Sequence, residues 1–255
     1  MNGRYKACVS YDGTRFEGFQ RQPKGHRTVQ EELENALQAI FNKQIRIVGA
    51  GRTDSGVHAS GQVISFDIKW KHSDQDLQNA LNANLPEDIA VLKIEQIHDN
   101  FHPRFDATKR AYEYFIYNAP VRHPLHRNRS WWVKPKLDVE KMNEAATLLI
   151  GEHDFATFGQ PPQGTRTLRA VFEAHWKIKA PFLIFSVQAN AFLYRMVRSL
   201  VGSLKMVGEG QWSVAQFAEA LEKADRSMCG PVAPPQGVYL VSVEYDAPGI
   251  VSNKL

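Results

Sequence analysis

Between Arg4 and Tyr11 apolar and polar positions alternate, with Tyr5, Ala7, Val9 and Tyr11 on one side and Arg4, Lys6 and Cys8 on the other. A period of two is that of a strand with one covered face, and Asp12-Gly13 ends it. From Val29 the period changes. Val29, Leu33, Ala36, Leu37 and Ile40 fall on one helical stripe, and Thr28 with Glu31 has the form of a capping box. A strand over 44–50, a glycine-rich loop and a strand over 61–70 follow. Ser73 and Asp76 open a second helix carrying Leu77, Ala80 and Leu81; Pro86 stops it, and Ile89 to Ile97 forms the next strand.

The second half repeats this β-α-β-β-α-β order. Lys109 to Tyr117 alternates, with Tyr112, Tyr114 and Ile116 on one face. Asp138 opens a helix with the stripe Val139, Met142, Ala146 and Leu149, and Gly151 sits where a C-terminal cap belongs. Strands over 167–179 and 182–190 flank a turn containing Pro181. Met196, Val197, Leu200, Val201 and Leu204 line a helix, Ser213 and Gln216 cap a shorter one, and Val238 to Tyr245 closes as a strand. The pattern predicts an α+β fold of two ferredoxin-like halves, residues 1–104 and 105–255. They would be related by a pseudo-twofold, each a mostly antiparallel sheet with helices on one face, with a catalytic cleft between them.

Composition narrows the class without naming the activity. The 255 residues are 43% hydrophobic and 23% charged, values of an ordinary folded protein. Cys8 and Cys229 alone are too few for a disulfide framework or a thiolate metal site. No apolar run has signal-peptide or membrane-spanning character, so a reducing cytoplasmic location with no membrane partner is expected. The formal charge of +4 is weak evidence; its distribution says more. Arg104, Lys109, Arg110, Arg122, Arg127, Arg129, Lys134 and Lys136 face only Asp106 and Glu113 over 101–136, with Trp131-Trp132 among them. A second run holds Arg15, Arg21, Lys24 and Arg27 against Glu17. Interleaved cations and aromatics suit phosphate contacts and base stacking; an ordinary solvated basic surface would read the same way.

The chemistry concentrates in residues 49–61, GAGRTDSGVHASG, between two strand-like runs. A glycine-rich connection longer than a hairpin needs is usually functional. It is not a dinucleotide fingerprint, because Asp54 stands where the third glycine belongs and would repel a pyrophosphate. Nor is Asp54-Ser55-Gly56 with His58 a protease segment, since the helical patterns contradict an all-β architecture. His58, His102, His123, His126 and His153 have no metal-site spacing and no acidic cluster, so no metal is expected. What remains is Asp54 on a strained loop with Arg52 two residues away. It is either an anionic nucleophile or base beside cations, or half of an Arg–Asp pair that pins the loop.

These residues resemble a family. GAGRTDSGVHA is similar to the active-site signature of the tRNA pseudouridine synthase A family, the tRNA pseudouridine(38–40) synthases. YDGTRFEGFQRQP with TVQ, NALNANLPEDI, FHPRFDATKRAYEY, GEHDFATF, NAFLYRMVRSLVG and APPQGVYL resemble its other blocks in order along the whole chain. Phe19 stands where tryptophan is usual, Pro103 where alanine is common and Val238 where leucine is common; none touches the implied chemistry.

The resemblance implies an isomerase that converts uridine to pseudouridine at positions 38, 39 and 40 of the tRNA anticodon stem-loop, as a homodimer and without metal or organic cofactor. It implies that Asp54 is the nucleophile, attacking either the uracil ring or the ribose anomeric carbon of a flipped-out nucleotide. Arg52 would contact the RNA and help hold that nucleotide out, Tyr112 would lie against the uracil, and Arg198 would pair with Asp54. Taken alone, Tyr112 reads rather as a core residue on a strand face, and Arg198 as an arginine whose stem packs while its head reaches water. Tyr114 and Tyr194 read as core or wall. A protein that binds RNA on this fold without catalysis is the competing class.

Overall fold

The computed structural model describes residues 3–23, 25–161 and 164–246. In chain order its elements are β1 (Gly3–Tyr11), α1 (Val29–Phe41), β2 (Val48–Gly49), β3 (His58–Ile68), α2 (Asp74–Asn84), β4 (Ile89–Ile97), β5 (Ala107–Asn118), β6 (Trp131–Val133), α3 (Val139–Thr147), β7 (Gly151–Asp154), β8 (Leu168–Lys179), β9 (Phe182–Ala189), α4 (Met196–Gly208), α5 (Val214–Glu222) and β10 (Val238–Tyr245). The fold is α+β with mostly antiparallel strands. The described residues divide into two compact units, one comprising residues up to Thr108 together with 240–246, the other those of Lys109–Tyr239. Against the division expected after residue 104, the last strand thus groups with the first unit.

In unit 1, β1 lies between β3 and β4, antiparallel to both, with Tyr5 opposite Phe66 on one side and Gln96 on the other. The alternation read from the sequence is the burial pattern: Tyr5, Ala7, Val9 and Tyr11 are covered. Thr28 caps α1 by accepting from the Glu31 amide, and Ser73 and Asp76 form the reciprocal capping box of α2. Leu33, Ala36, Leu37, Leu77 and Leu81 complete the core. β10 extends this sheet beside β3. They run so close that a side chain at Gly61 would collide with the Val241 carbonyl.

The strand expected over 44–50 shrinks to Val48–Gly49. Ile45 and Ile47 are buried as a strand would bury them, but helix α1 takes their backbone partners. Ile47 N donates to Glu34 Oε1 at 3.3 Å, and Gln30 Nε2 donates to the Ile47 carbonyl at 3.5 Å. Glu34 is buried, and Arg21 Nη1 and Gln30 Nε2 also donate to it at 2.7 and 2.9 Å. A carboxylate out of water is sustained by such donors.

The basic run over 15–27 is not a free cationic surface. Arg15 pairs with Glu87 and Asp88, Arg21 with Glu31 and Glu34, and Arg27 with Glu32 and Asp88; Lys24 lies outside the described residues. Arg27 donates through both terminal nitrogens to Asp88 at 2.8 and 2.9 Å. That hydrogen bonding holds the Asp88 carboxyl below its ordinary value of 3.8. A depressed folded-state pKa contributes stability that is present above the unfolded value and is lost as pH falls through the folded one. Acid titration below pH 3.8 will therefore destabilise the wild type. Asp88→Asn, which leaves Arg27 short of a partner, will unfold about 2 kcal/mol more easily at neutral pH. Denaturant midpoints at pH 7 and pH 3 check both; the gap between variant and wild type should narrow at the lower pH.

In unit 2, β9 lies between β5 and β8, antiparallel to both, with β7 beyond β8 and β6 parallel to β5. β6 and β7 were not foreseen: three and four residues carry too little alternation to register. Tyr114, Ile116, Phe185, Val187 and Trp176 pack beneath α3, α4 and α5 as a buried core, in which Phe158 stacks on Phe217 at 5.6 Å. Asn143 of α3 clamps the Trp176 backbone, accepting from its N–H at 2.6 Å and donating to its carbonyl at 3.1 Å. Trp131 lies under the Lys205 ammonium at 5.4 Å, and Trp132 donates to the Ala119 carbonyl at 2.9 Å. This pair is therefore partly committed within the unit.

Candidate active site

In unit 1 the signature loop leaves β2 at Gly49 and enters β3 at His58. The chain over 13–19 braces it. Phe19 N donates to the Thr53 carbonyl at 3.1 Å, and Gly56 N and Ser55 Oγ both donate to the Phe16 carbonyl at 3.2 Å. The side chain of Thr53 is buried against Tyr11, hydroxyl to hydroxyl at 2.8 Å. Fully buried Gln62 donates to the Gly51 carbonyl at 3.0 Å. A turn closes from the Val57 N–H to the Asp54 carbonyl at 3.2 Å, and Gly56 supplies the positive φ of 77° it requires. Gly18, at φ 97°, lies so near the Thr53 carbonyl that any side chain there would press on it.

This frame holds alternate residues differently. Thr53 is locked inward, Asp54 is half-buried and Arg52 is exposed. Among the described residues Arg52 makes no ion pair, so an Arg52–Asp54 pair is not what pins the loop; backbone contacts and the Tyr11–Thr53–Gln62 set do that. His58 is buried, and its Nδ1 accepts from the Gly13 N–H at 3.0 Å, the structural role expected of an isolated histidine. Among the described residues no group of three metal-capable side chains comes together.

In unit 2, Tyr112 sits half-buried on β5 opposite Val187, with Phe192 edge-on to its ring at 4.9 Å. Two residues on, Tyr114 is fully buried and donates to the Pro234 carbonyl at 2.9 Å. Burial pushes its phenol well above the ordinary value, and the positive charge of Arg198 opposes that rise. Arg198 stands half-buried in the first turn of α4. Its Nε donates to the Ala233 carbonyl at 2.7 Å, and its own carbonyl accepts from the Ala233 N–H at 3.0 Å. The guanidinium is thus aimed by a two-point clasp, a constraint beyond that of a side chain merely reaching for water. Tyr194, read as core or wall, is 48% exposed.

Comparison with known proteins agrees with these blocks. A family model described as tRNA pseudouridine synthase matches residues 7–106 and 145–246. The chain belongs to the tRNA pseudouridine synthase family. It is 43% identical over 244 residues to the tRNA pseudouridine synthase A of Pseudothermotoga lettingae, covering 95% of this chain and 99% of that protein. It is 43% identical over 254 residues to the tRNA pseudouridine synthase A of Neisseria gonorrhoeae, covering 99% and 96%. Among solved structures, the archaeal box H/ACA sRNP Nop10–Cbf5 complex aligns with 89% of this chain and 60% of that one, at a TM-score of 0.37 and 11% identity, too slight a likeness to bear on the reading. Family membership makes the chain an isomerase. No helix is long and apolar enough to cross a membrane.

The residues missing from the sequence reading are the braces. Tyr11, Thr53 and Gln62 come together from three separate stretches. The one local signal was the clustering of glycine and aromatic residues in YDGTRFEGF, just ahead of α1.

Proposed function

We propose that this chain isomerises uridine to pseudouridine at positions 38, 39 and 40 of the tRNA anticodon stem-loop, with Asp54 as nucleophile. The observation that carries the reading is the signature loop. Thr53, Ser55, Gly56 and Gln62 brace it in a defined conformation, with Asp54 half-buried and Arg52 exposed on it. A base within a helical stem is reached only by extrusion, which costs a few kcal/mol and calls for stacking and polar contacts. Arg52, exposed on the loop, contacts the RNA and helps hold the nucleotide out. Tyr112 lies against the uracil. Arg198, aimed by its clasp on Ala233, pairs with Asp54 and keeps it ionised.

Asp54 attacks the uracil ring or C1′ of the ribose. The N1–C1′ bond breaks, the base turns, C5 bonds to C1′, the bond to Asp54 breaks and frees the carboxylate, the C5 proton leaves and N1 gains one, so the atoms balance and no cofactor is consumed. Helical RNA is recognised by shape and phosphate, which suits an enzyme serving three neighbouring positions. The reading includes a homodimer acting in the cytoplasm, as the family resemblance implies. Modified-base mapping of an unmodified tRNA transcript after incubation with the protein tests it. Pseudouridine at 38, 39 and 40 is the expected result; modification only elsewhere, or none, rejects it.

A further inference from the structure

From Phe155 to Gly208 the chain holds Arg166, Arg169, Lys177, Lys179, Arg195, Arg198 and Lys205 but one acid, Glu173. That acid is engaged by His175 Nδ1 at 3.0 Å. Lys205 is paired with Glu209 beyond the segment, and unit 2 gathers Arg166, Arg169 and Arg195 at one end of the sheet. The Ala170 N–H donates to Asn190 Oδ1 at 3.1 Å, the Asn190 N–H donates to the Ala170 carbonyl at 3.0 Å, and Arg110 Nη1 donates to the Asn190 carbonyl at 2.7 Å. The Tyr194 N–H donates to the Gln160 carbonyl at 2.8 Å. The start of β8 and the loop from β9 to α4 are thereby held side by side.

Two features of this end are costly and unexplained by packing. Arg169 folds back on its own turn, Nη1 donating to the carbonyls of Leu168 and Arg166 at 2.6 and 3.1 Å. Its Nε is buried with no acceptor. Burial and the neighbouring Arg166 both lower its pKa, so the site is short of negative charge. The second feature is the N-cap of α4. Arg195 takes a left-handed φ of 61°, a strain that non-glycine residues adopt mainly at functional sites. The result is an exposed Arg195 guanidinium 4.9 Å from the ring of exposed Tyr194. Phe192 of the same loop touches Tyr112. Asp154 lies opposite Leu168 on β7, but its Oδ1 accepts from the Ala156 N–H at 3.0 Å.

We propose that these two loops are a docking platform for the RNA strand flanking the target uridine, Arg166 and Arg169 taking a backbone phosphate and Tyr194, backed by Arg195, stacking a neighbouring base. This rests on the reading of the chain as an RNA-modifying enzyme. Guanidinium groups short of anionic partners fit a phosphate oxygen, and an aromatic ring backed by arginine is a sequence-tolerant base platform. Arg166 and Tyr194 are exposed, so their replacement leaves the core intact. They are positioning residues for RNA binding.

The test is filter binding of an unmodified tRNA transcript between about 50 and 200 mM salt by wild type, Arg166→Gln, Arg169→Lys and Tyr194→Ala. Arg166→Gln is expected to lower the slope of log affinity against log salt by about 0.7–0.9, the release of one phosphate contact. Tyr194→Ala should weaken binding roughly ten-fold with the slope unchanged, a split that general loosening of the fold would not produce. Arg169→Lys keeps the charge but loses the fork, and should weaken binding without flattening the slope. Wild-type affinity and slope in both Arg166→Gln and Tyr194→Ala overturn the platform. Pseudouridine formation by the wild type is read separately. Its absence beside variant-sensitive binding would reject the proposed reaction and leave the platform standing.

Discussion

Asp54→Asn is expected to abolish tritium release from tRNA labelled at uridine C5, by about 10⁴-fold or more, while tRNA binding stays close to wild type. The substitution is nearly isosteric, and Thr53, Ser55, Gly56 and Gln62 brace the loop. A neutral amide cannot act as the anionic nucleophile, so the chemical step is lost with the fold retained. Equal release by both proteins would reject the nucleophile assignment.

Gly202→Ala carries the largest expected cost in stability. On helix propensity alone the change would help by about 1 kcal/mol. Yet a Cβ at Gly202 would collide with the Pro231 carbonyl, a backbone atom that cannot step aside as a side chain can. Overpacking of this kind costs about 3 kcal/mol, or roughly 6–12 °C in Tm for a chain of this size. The effect should reach the proposed chemistry, because the displaced segment continues to Ala233, whose N–H and carbonyl form the clasp on Arg198. Thermal melts and pseudouridine assays below the melting range would separate the two consequences; a wild-type Tm would show that the close approach of α4 to this segment is not needed.

What could be read in advance follows the range of the interactions. Helices α1, α2, α3 and α5 carry their own caps within three residues, so periodicity and capping found them. Strand β2 is shorter than its apolar content suggested because Glu34, on a helix, takes the Ile47 N–H. The basic run over 15–27 looked unpaired because its partners lie as far away as Asp88. Asp54 stood out on its glycine loop, but the residues that shape the loop were invisible, being joined only in three dimensions. Tyr194 read as wall because the apolar residues around it gave no sign that α4 begins on a left-handed residue. Arg166 and Arg169 passed unnoticed because nearly thirty residues of sequence separate them from Arg195.

Gly61 sits tight against Val241, on a strand that the ribosome reaches only long after the 49–61 loop has emerged. The sheet bordering that loop therefore waits for residues beyond Leu240, and a nascent or prematurely terminated polypeptide carries Asp54 on an unfinished scaffold. Competence arrives with the closing strand, so partial translation products of this protein should be inert.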